Sequence, residues 1–247
     1  MSNAATAPAS TDSSPDPSRS LSELVEENAQ RARIFEAYNL DYCCGGSRSL
    51  SEACQSEGVD TDAIVEELEQ ADARAEETDA DWETLSELVD LIVEQHHEYL
   101  REELKPLKDL VDKVAKVHGD NHPELEDLAE VYAELAREMP VHLSEEEQIL
   151  FPAIRQLEDD ESLDDQARET IDAVIDGLWD DHEETAGHLE KIVELTDGYT
   201  IPDDACPSYR TMLERLEDLE ADTHMHVHRE NNVLFDRVRQ RLGGAAE

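Results

Sequence analysis

Apolar residues recur every three to four positions along most of the chain, a spacing that predicts amphipathic helices. No stretch alternates apolar and polar residues as a half-buried strand does. Four long helical segments follow one another with short polar turns between them: 82–118, 123–158, 164–197 and 206–242. Such an order favours an antiparallel four-helix bundle, so the predicted fold class is all-α. Pro106 and Pro140 fall inside two of the segments, and we expect them to kink or restart their helices.

The residues before the bundle divide into three parts. Residues 1–19 are mostly Ala, Ser, Thr, Pro and Asp without apolar periodicity, which predicts a disordered tail. Residues 20–70 carry shorter helical patterns, the first of them over 21–39, and predict a small helical domain that contains two adjacent cysteines. Residues 71–81 are acidic with few apolar positions, which predicts a linker. The bundle domain would then span 82–242.

The composition excludes several classes of partner. The chain has 64 acidic and 20 basic residues, a formal net charge of −44. This charge repels phosphate backbones and anionic lipids, so we expect neither nucleic acid nor a membrane as partner. No apolar run approaches the roughly 20 residues that span a bilayer, and no secretory signal pattern is visible, so we expect a cytoplasmic protein. The acidic polar faces, with 5 lysines against 15 arginines, favour a surface adapted to high salt.

Histidines and glutamates interrupt the apolar stripes of all four long segments. The residues within the stripes are His97, His142, Glu146, His182, His226 and Glu230. A lone histidine on an apolar face is usually a core residue, and a His-x-x-x-Glu pair is usually a surface pair on one helix. Four inward histidines on successive helices are much harder to obtain by chance, and two buried glutamates without a cation would cost several kcal/mol. A metal site accounts for both.

The set of ligands indicates the kind of metal. Four imidazoles and two carboxylates exceed one tetrahedral zinc ion and are too rich in nitrogen for calcium. They suit two transition-metal ions, expected to be iron, with Glu146 and Glu230 as bridges. A ferritin-like site would need two Glu-x-x-His motifs, and only Glu94 and His97 have that spacing. Six protein ligands would leave positions for an oxo or hydroxo bridge and for a small molecule such as O₂ or NO.

The motifs resemble those of the hemerythrin-like iron–sulfur cluster repair proteins. The similarity is carried by HLSEEEQILFP from His142, HVHRENNVLF from His226, HEYLR from His97 and HEETA from His182. The turn DYCCGG at 41–46 resembles the N-terminal domain of that family. Two departures are Asp236, where the family has proline, and an Ala-Gly pair one residue later than usual after His182.

The resemblance implies a non-haem di-iron centre held by the six residues named above. It also implies a function in restoring iron–sulfur clusters damaged by oxidative or nitrosative stress, by supplying or mobilising iron, with damaged iron–sulfur proteins as partners. Two alternatives stay open: an O₂ or NO carrier or sensor, and a di-iron reductase of NO or peroxide. The cysteine-bearing domain favours repair, because a simple carrier does not need it. We expect a repair factor rather than a conventional enzyme, and the sequence leaves open whether the chain forms a homodimer.

The cysteines allow two interpretations. Without the resemblance, Cys43 and Cys44 fit two small residues packed in a turn as well as they fit a thiol pair with a chemical function. With the family resemblance, a thiol pair that accepts or hands on iron, or that senses oxidation, becomes the better interpretation. Cys54 and Cys206 carry no motif and are expected to be packing residues.

The other histidines are not expected to bind metal. His96 competes with its neighbour His97 for the ligand position, but the stripe through Val93 and Leu100 favours His97. His224 and His228 are expected on the exposed side of the fourth segment. The remaining three lie in a loop or off the stripe: His118, His122 and His188.

Overall fold

The computed structural model describes residues 15–72, 82–159 and 164–243, which form helices and no strand. The chain divides into two compact units, Met1–Thr78 and Asp79–Glu247. None of the helices in the described residues is long and apolar enough to cross a bilayer. The predicted all-α class is therefore confirmed.

The described residues of the small unit form four short α-helices. They are α1 (Leu21–Glu27), α2 (Ala32–Ala37), α3 (Leu50–Glu57) and α4 (Thr61–Asp72). The sequence predicts one helix over 21–39, but the chain becomes extended at Asn28, with φ −154° and ψ 103°. The Asn28 side chain accepts a hydrogen bond from the amide of Gln30 at 3.0 Å and so caps the 3₁₀ turn that leads into α2.

Both ends of the small unit differ from the prediction. Residues 15–19 were expected in the disordered tail, yet the amide of Leu50 donates to the carbonyl of Arg19 at 2.9 Å. At the other end, α4 continues to Asp72, two residues into the predicted linker. It does so because Asp72 pairs with buried Arg31, whose Nη2 lies 2.6 Å from Oδ2 of Asp72. The rest of the predicted tail and linker, 1–14 and 73–81, lies outside the described residues.

The large unit is the predicted bundle of four long helices. In chain order they are α5 (Leu85–Ile92), a π-helical turn (Val93–His97) and α6 (Glu98–His118); α7 (Glu124–Glu145), a π-helical turn (Glu146–Leu150) and α8 (Phe151–Asp159); α9 (Asp165–Leu195); and α10 (Pro207–His228), a π-helical turn (Arg229–Phe235) and α11 (Asp236–Gly243). We call these bundle helices 1 to 4. Helices α6 and α7 pack together, and so do α5 and α8, so bundle helices 1 and 2 are antiparallel.

Of the two expected effects of the prolines, a kink or a restart of the helix, the structure contradicts the restart. Pro106 lies inside the continuous helix α6, and Pro140 lies inside α7. A proline within a helix costs about 3 kcal/mol or more, because it removes one hydrogen bond and crowds the preceding turn. Leu104 and Leu107 are buried on either side of Pro106, and we infer that this packing offsets the cost.

The apolar interior of the bundle forms two clusters with a polar layer between them. In bundle helix 1, Ile92 belongs to one cluster and Leu100 to the other, with buried His97 between them. In bundle helix 3, His182 lies in the same way between Leu178 and Leu189. The fold therefore places the predicted ligands at one level across the middle of the bundle.

Candidate metal centre

Six buried side chains from the four bundle helices converge in the polar layer. They are His97, His142, Glu146, His182, His226 and Glu230, each at most 7% exposed. The Nε2 atoms of His97 and His226 lie 3.1 Å apart, and those of His142 and His182 are also 3.1 Å apart. Each histidine pair forms a group of four with the two glutamates, and the ligand atoms of each group lie within 4.8 Å of one another.

The two glutamates reach both histidine pairs with opposite oxygens. In Glu146, Oε2 lies 3.4 Å from Nε2 of His97, and Oε1 lies 3.4 Å from Nε2 of His142. In Glu230, Oε1 lies 3.0 Å from Nε2 of His226, and Oε2 lies 3.2 Å from Nε2 of His182. Carboxylates in this arrangement are placed to bridge two neighbouring cations.

The chemistry of the six residues fits a metal pair. None of the four carboxylate oxygens of Glu146 and Glu230 accepts a well-aligned hydrogen bond from the described residues, although all four are buried. A buried carboxylate without a partner costs several kcal/mol, and a bound cation removes that cost. Imidazole nitrogen with carboxylate oxygen is a donor set that transition metals accept.

Burial favours the neutral form of these groups, which suits histidine ligands and makes an ionised carboxylate costly until a cation is bound. It raises the pKa of Glu146 well above its ordinary value, and the negative charge of Glu230 adds to the shift. Burial also lowers the pKa of His226 to about 3 and lowers the pKa of His142. The imidazoles of His226 and His142 are therefore neutral at pH 7, which is the form that binds a metal.

A π-helical turn occurs at the ligands in three of the four bundle helices. His97 ends the first π turn, Glu146 begins the second, and Glu230 lies in the third. Such turns insert one residue into an α-helix and often mark functional sites. Bundle helix 3 carries His182 within a continuous α-helix. The hydrophobic periodicity was interpreted as continuous α-helix through these positions and did not predict the π turns.

The motif of bundle helix 2 supports the histidine of bundle helix 1. The ring of His97 donates through Nδ1 to Oε1 of Glu147 at 2.8 Å, and Arg101 donates to the same oxygen at 2.7 Å. Burial opposes ionisation of Glu147, but these two donors keep its pKa below the ordinary value. Phe151 stacks on the His97 ring, with centroids 5.6 Å apart. His97 is thereby fixed with Nε2 directed at the centre.

The motif of bundle helix 4 repeats this arrangement for bundle helix 3. His182 donates through Nδ1 to Oδ1 of Asn231 at 2.8 Å, and Phe235 stacks on its ring at 6.0 Å. Asn231 directly follows Glu230, as Glu147 directly follows Glu146. These supporting residues were not predicted from the sequence. The sequence held one indication of them: in both motifs the supporting residue directly follows the glutamate, and a phenylalanine lies five positions after that glutamate.

The other two ligand histidines have weaker support. Nδ1 of His142 lies 3.5 Å from Oδ2 of Asp181, and Nδ1 of His226 has no hydrogen-bond acceptor among the described residues. The proton on each Nδ1 is therefore less firmly fixed than in His97 and His182.

The remaining histidines lie outside the two groups of four. His96 is buried, donates to Asp222 and accepts from Arg229, each at 2.8 Å. The expectation that His224 and His228 are exposed is wrong: His228 is 2% exposed and His224 is half-buried. An angular position on one helix shows which way a side chain points, but not which neighbouring elements cover it.

All four cysteines are free thiols. Cys54 is fully buried in the small unit. Cys206 is half-buried at the start of α10, where its Sγ lies 3.2 Å from Nε2 of His118. The Sγ atoms of Cys43 and Cys44 are 3.9 Å apart.

Fold and site together define a helical-bundle metal protein with four histidines and two shared glutamates at its centre. The chain belongs to the family described as Hemerythrin HHE cation binding domain, whose model matches residues 89–238. A second family model, ScdA_N, described as a domain of unknown function (DUF542), matches residues 17–72.

Several relatives have nearly the same length as this chain. The iron-sulfur cluster repair protein ScdA of Staphylococcus haemolyticus is 37% identical over 223 residues, which cover 88% of this chain and 96% of the relative. The iron-sulfur cluster repair protein YtfE of an Enterobacter species is 36% identical over 220 residues, with 88% and 95% covered. A probable iron-sulfur cluster repair protein of Haemophilus influenzae is 34% identical over 225 residues, again with 88% and 95% covered.

Proposed function

We propose that this protein is a non-haem di-iron protein that repairs iron–sulfur clusters damaged by oxidative or nitrosative stress. The observation that carries the proposal is the pair of buried four-ligand groups that share Glu146 and Glu230. The clients would be damaged iron–sulfur proteins, as the names of the relatives suggest. The cytoplasmic location stays a prediction from the sequence.

The six candidate ligands would divide between two iron ions. His97 and His226 would hold one ion, His142 and His182 the other, and the two glutamates would bridge them. An iron pair would supply redox activity and an exchangeable metal that can take up a small ligand such as O₂ or NO. The protein would supply four imidazoles, two carboxylates that balance the cationic charge, and the rings of Phe151 and Phe235 that shield two of the histidines.

The small unit would supply the thiols for iron transfer. Cys43 and Cys44 are adjacent free thiols, and thiolates are good ligands for iron. A carrier or sensor of O₂ or NO would not need this pair. The thiols are therefore the part of the molecule that separates repair from transport in an experiment.

Metal content gives the first test. Protein produced with ample iron should contain two irons per chain by plasma mass spectrometry. Glu146→Ala or Glu230→Ala should remove at least half of it, because each change deletes a bridge. His188→Ala is the matched control, since His188 is half-buried outside both groups and should leave the iron content unchanged. One zinc per chain in the wild-type protein would refute the di-iron centre.

Reactivation of a damaged enzyme gives the second test. An iron–sulfur hydro-lyase inactivated by peroxide or NO should recover activity when the iron-loaded protein is added. Replacement of both Cys43 and Cys44 with Ser should abolish recovery and leave the iron content and optical spectrum unchanged. Reversible O₂ or NO binding without any reactivation would instead favour a carrier or sensor, and catalytic consumption of NO or peroxide with an electron donor would favour a reductase.

A further inference from the structure

The carboxylate of Asp41 closes the turn that carries the two adjacent cysteines. Its Oδ1 accepts hydrogen bonds from the amides of Cys43 at 3.1 Å and Cys44 at 2.9 Å. Its Oδ2 accepts one from the amide of Gly45 at 2.7 Å. Three consecutive amides thus point at one carboxylate, which is an anion-binding nest filled by the chain itself.

Gly45 permits this close approach. A Cβ atom at this position would lie 2.7 Å from Oδ2 of Asp41 and 3.2 Å from Nη2 of Arg48. Real Cβ contacts are not this short, so a side chain here would push the carboxylate out of the turn. The glycine that follows the cysteines is therefore part of the same clamp as Asp41.

The clamp leaves the two thiols unequal. Cys43 is 5% exposed, and its Sγ donates towards Oδ1 of Asp41 at 3.3 Å and towards Sγ of Cys44 at 3.9 Å. The hydrogen bond to Cys44, burial and the nearby charge of Asp41 raise the pKa of Cys43 well above its ordinary value. Cys44 is half-buried and receives a hydrogen bond. Because thiolates are the reactive form, the accessible acceptor of the pair is the better nucleophile.

We propose that Cys44 is the reactive thiol of the pair, that Cys43 is its buried hydrogen-bond donor, and that Asp41 is the positioning residue for both. The inference deepens the proposed function and rests on it in one respect: iron is the species that Cys44 would bind first during transfer. The reactivity itself is independent of iron. With iodoacetamide, the Cys44 thiolate forms an S–C bond, the C–I bond breaks, iodide leaves, and the thiol proton goes to solvent.

Site-resolved alkylation of the full-length chain tests the inequality. The protein is treated with limiting iodoacetamide at about pH 8, and fragment mass spectra assign the modified sulfur. We expect Cys44 to react on the order of tenfold faster than Cys43, because reactivity follows exposure and thiolate fraction. Fully buried Cys54 is the internal standard for a slow thiol. Equal rates at Cys43 and Cys44, or a faster rate at Cys43, would overturn the assignment.

Two substitutions test the positioning function of Asp41. Asp41→Ala removes both carboxylate oxygens that accept from the amides of Cys43, Cys44 and Gly45. Because the turn is then no longer closed around Cys43, we expect the alkylation rates of the two cysteines to come within about twofold of each other. Asp41→Asn keeps an oxygen for the amides of Cys43 and Cys44 but presents an NH₂ group to Gly45, so its rate ratio should lie between. Ser47→Ala, at an exposed position of the same turn, is the control and should preserve the ratio.

Amide hydrogen exchange separates positioning from unfolding. The Gly45 amide should exchange faster in both Asp41 variants, whereas the amides of Cys43 and Cys44 should exchange faster only in Asp41→Ala. The Ala53 amide, which donates to the Ser49 carbonyl at 3.0 Å, reports whether α3 stays folded. Unchanged exchange and an unchanged rate ratio in Asp41→Ala would refute the positioning function. If Asp41→Ala unfolds, the wild-type ratio and the Asn variant still decide. Neither measurement needs iron or a client, so failure of cluster repair would not affect them.

Discussion

His182 donates through Nδ1 to the amide oxygen of Asn231 at 2.8 Å, in the position where His97 uses the carboxylate of Glu147. The two motifs therefore repeat the same construction, with a buried glutamate, a hydrogen-bond acceptor and a stacked phenylalanine at equal offsets. They differ in charge, because one acceptor is an ionised carboxylate paired with Arg101 and the other is neutral. A carboxylate behind an imidazole makes that imidazole a stronger metal ligand.

The first prediction concerns this acceptor. Glu147→Gln keeps an acceptor oxygen but removes the negative charge behind His97, so it should weaken metal binding by about 10-fold, the lower end of the usual effect of replacing a residue that supports a ligand histidine. Titration of the metal-free protein with Co²⁺, followed by visible absorption, would measure the change. Glu145→Gln, two positions earlier and exposed, is the control and should bind as the wild type does. Equal affinities for the two variants would contradict the prediction.

The second prediction concerns the cost of the buried bridge. Burial raises the pKa of Glu146 in the folded state. The protonated carboxyl therefore contributes to the free energy of unfolding, fully so below the pKa that Glu146 has in the unfolded chain. This contribution is lost as pH rises through the pKa of the folded state. Glu146→Gln removes that loss. The metal-free variant should therefore melt on the order of a few degrees above the metal-free wild type at about pH 8, with a smaller difference at about pH 5. Calorimetry of both metal-free proteins would measure it, and a lower melting temperature for the variant at both pH values would disprove it.

The third prediction concerns salt. A net charge of −44 repels itself in the folded state, and about 1 M salt shortens the screening length to about 3 Å from about 30 Å at 0.01 M. The melting temperature should rise steeply over this range. Circular dichroism melts in KCl would show it, with sucrose as a control for exclusion effects. A flat profile would contradict adaptation of the surface to high salt.

The fourth prediction concerns the independence of the bundle. All six candidate ligands lie in the large unit, so a chain without residues 1–78 should fold and bind the same number of metal ions as the full chain. Metal analysis and circular dichroism of the shortened chain would establish this. Loss of metal with retained helicity would show that the small unit contributes to the site.

The sequence was sufficient for the bundle and for the convergence of the candidate ligands, because each ligand interrupts an apolar stripe and the stripes must face one core. The capping box of Ser49 and Glu52 is likewise local, because its two residues lie three positions apart in the sequence. The sequence was not sufficient wherever a partner comes from another helix. Glu147 lies 50 positions from His97, and nothing local in the chain couples the two. The predicted exposure of His228 was wrong for the same reason, because the neighbouring elements that cover a side chain decide its burial.

The proposed delivery of iron would lower the stability of the polar layer between the two apolar clusters. Each cluster is held by its own apolar contacts, whereas the level between them consists of imidazoles and carboxylates that the bound cations would join. Anything that binds only the folded state adds to its stability, and departure of the ions takes that contribution away. A molecule that has just released its iron would therefore unfold locally most readily in this polar layer. Spent and loaded copies would then differ in lifetime under proteolysis, so cellular turnover would remove the empty ones first.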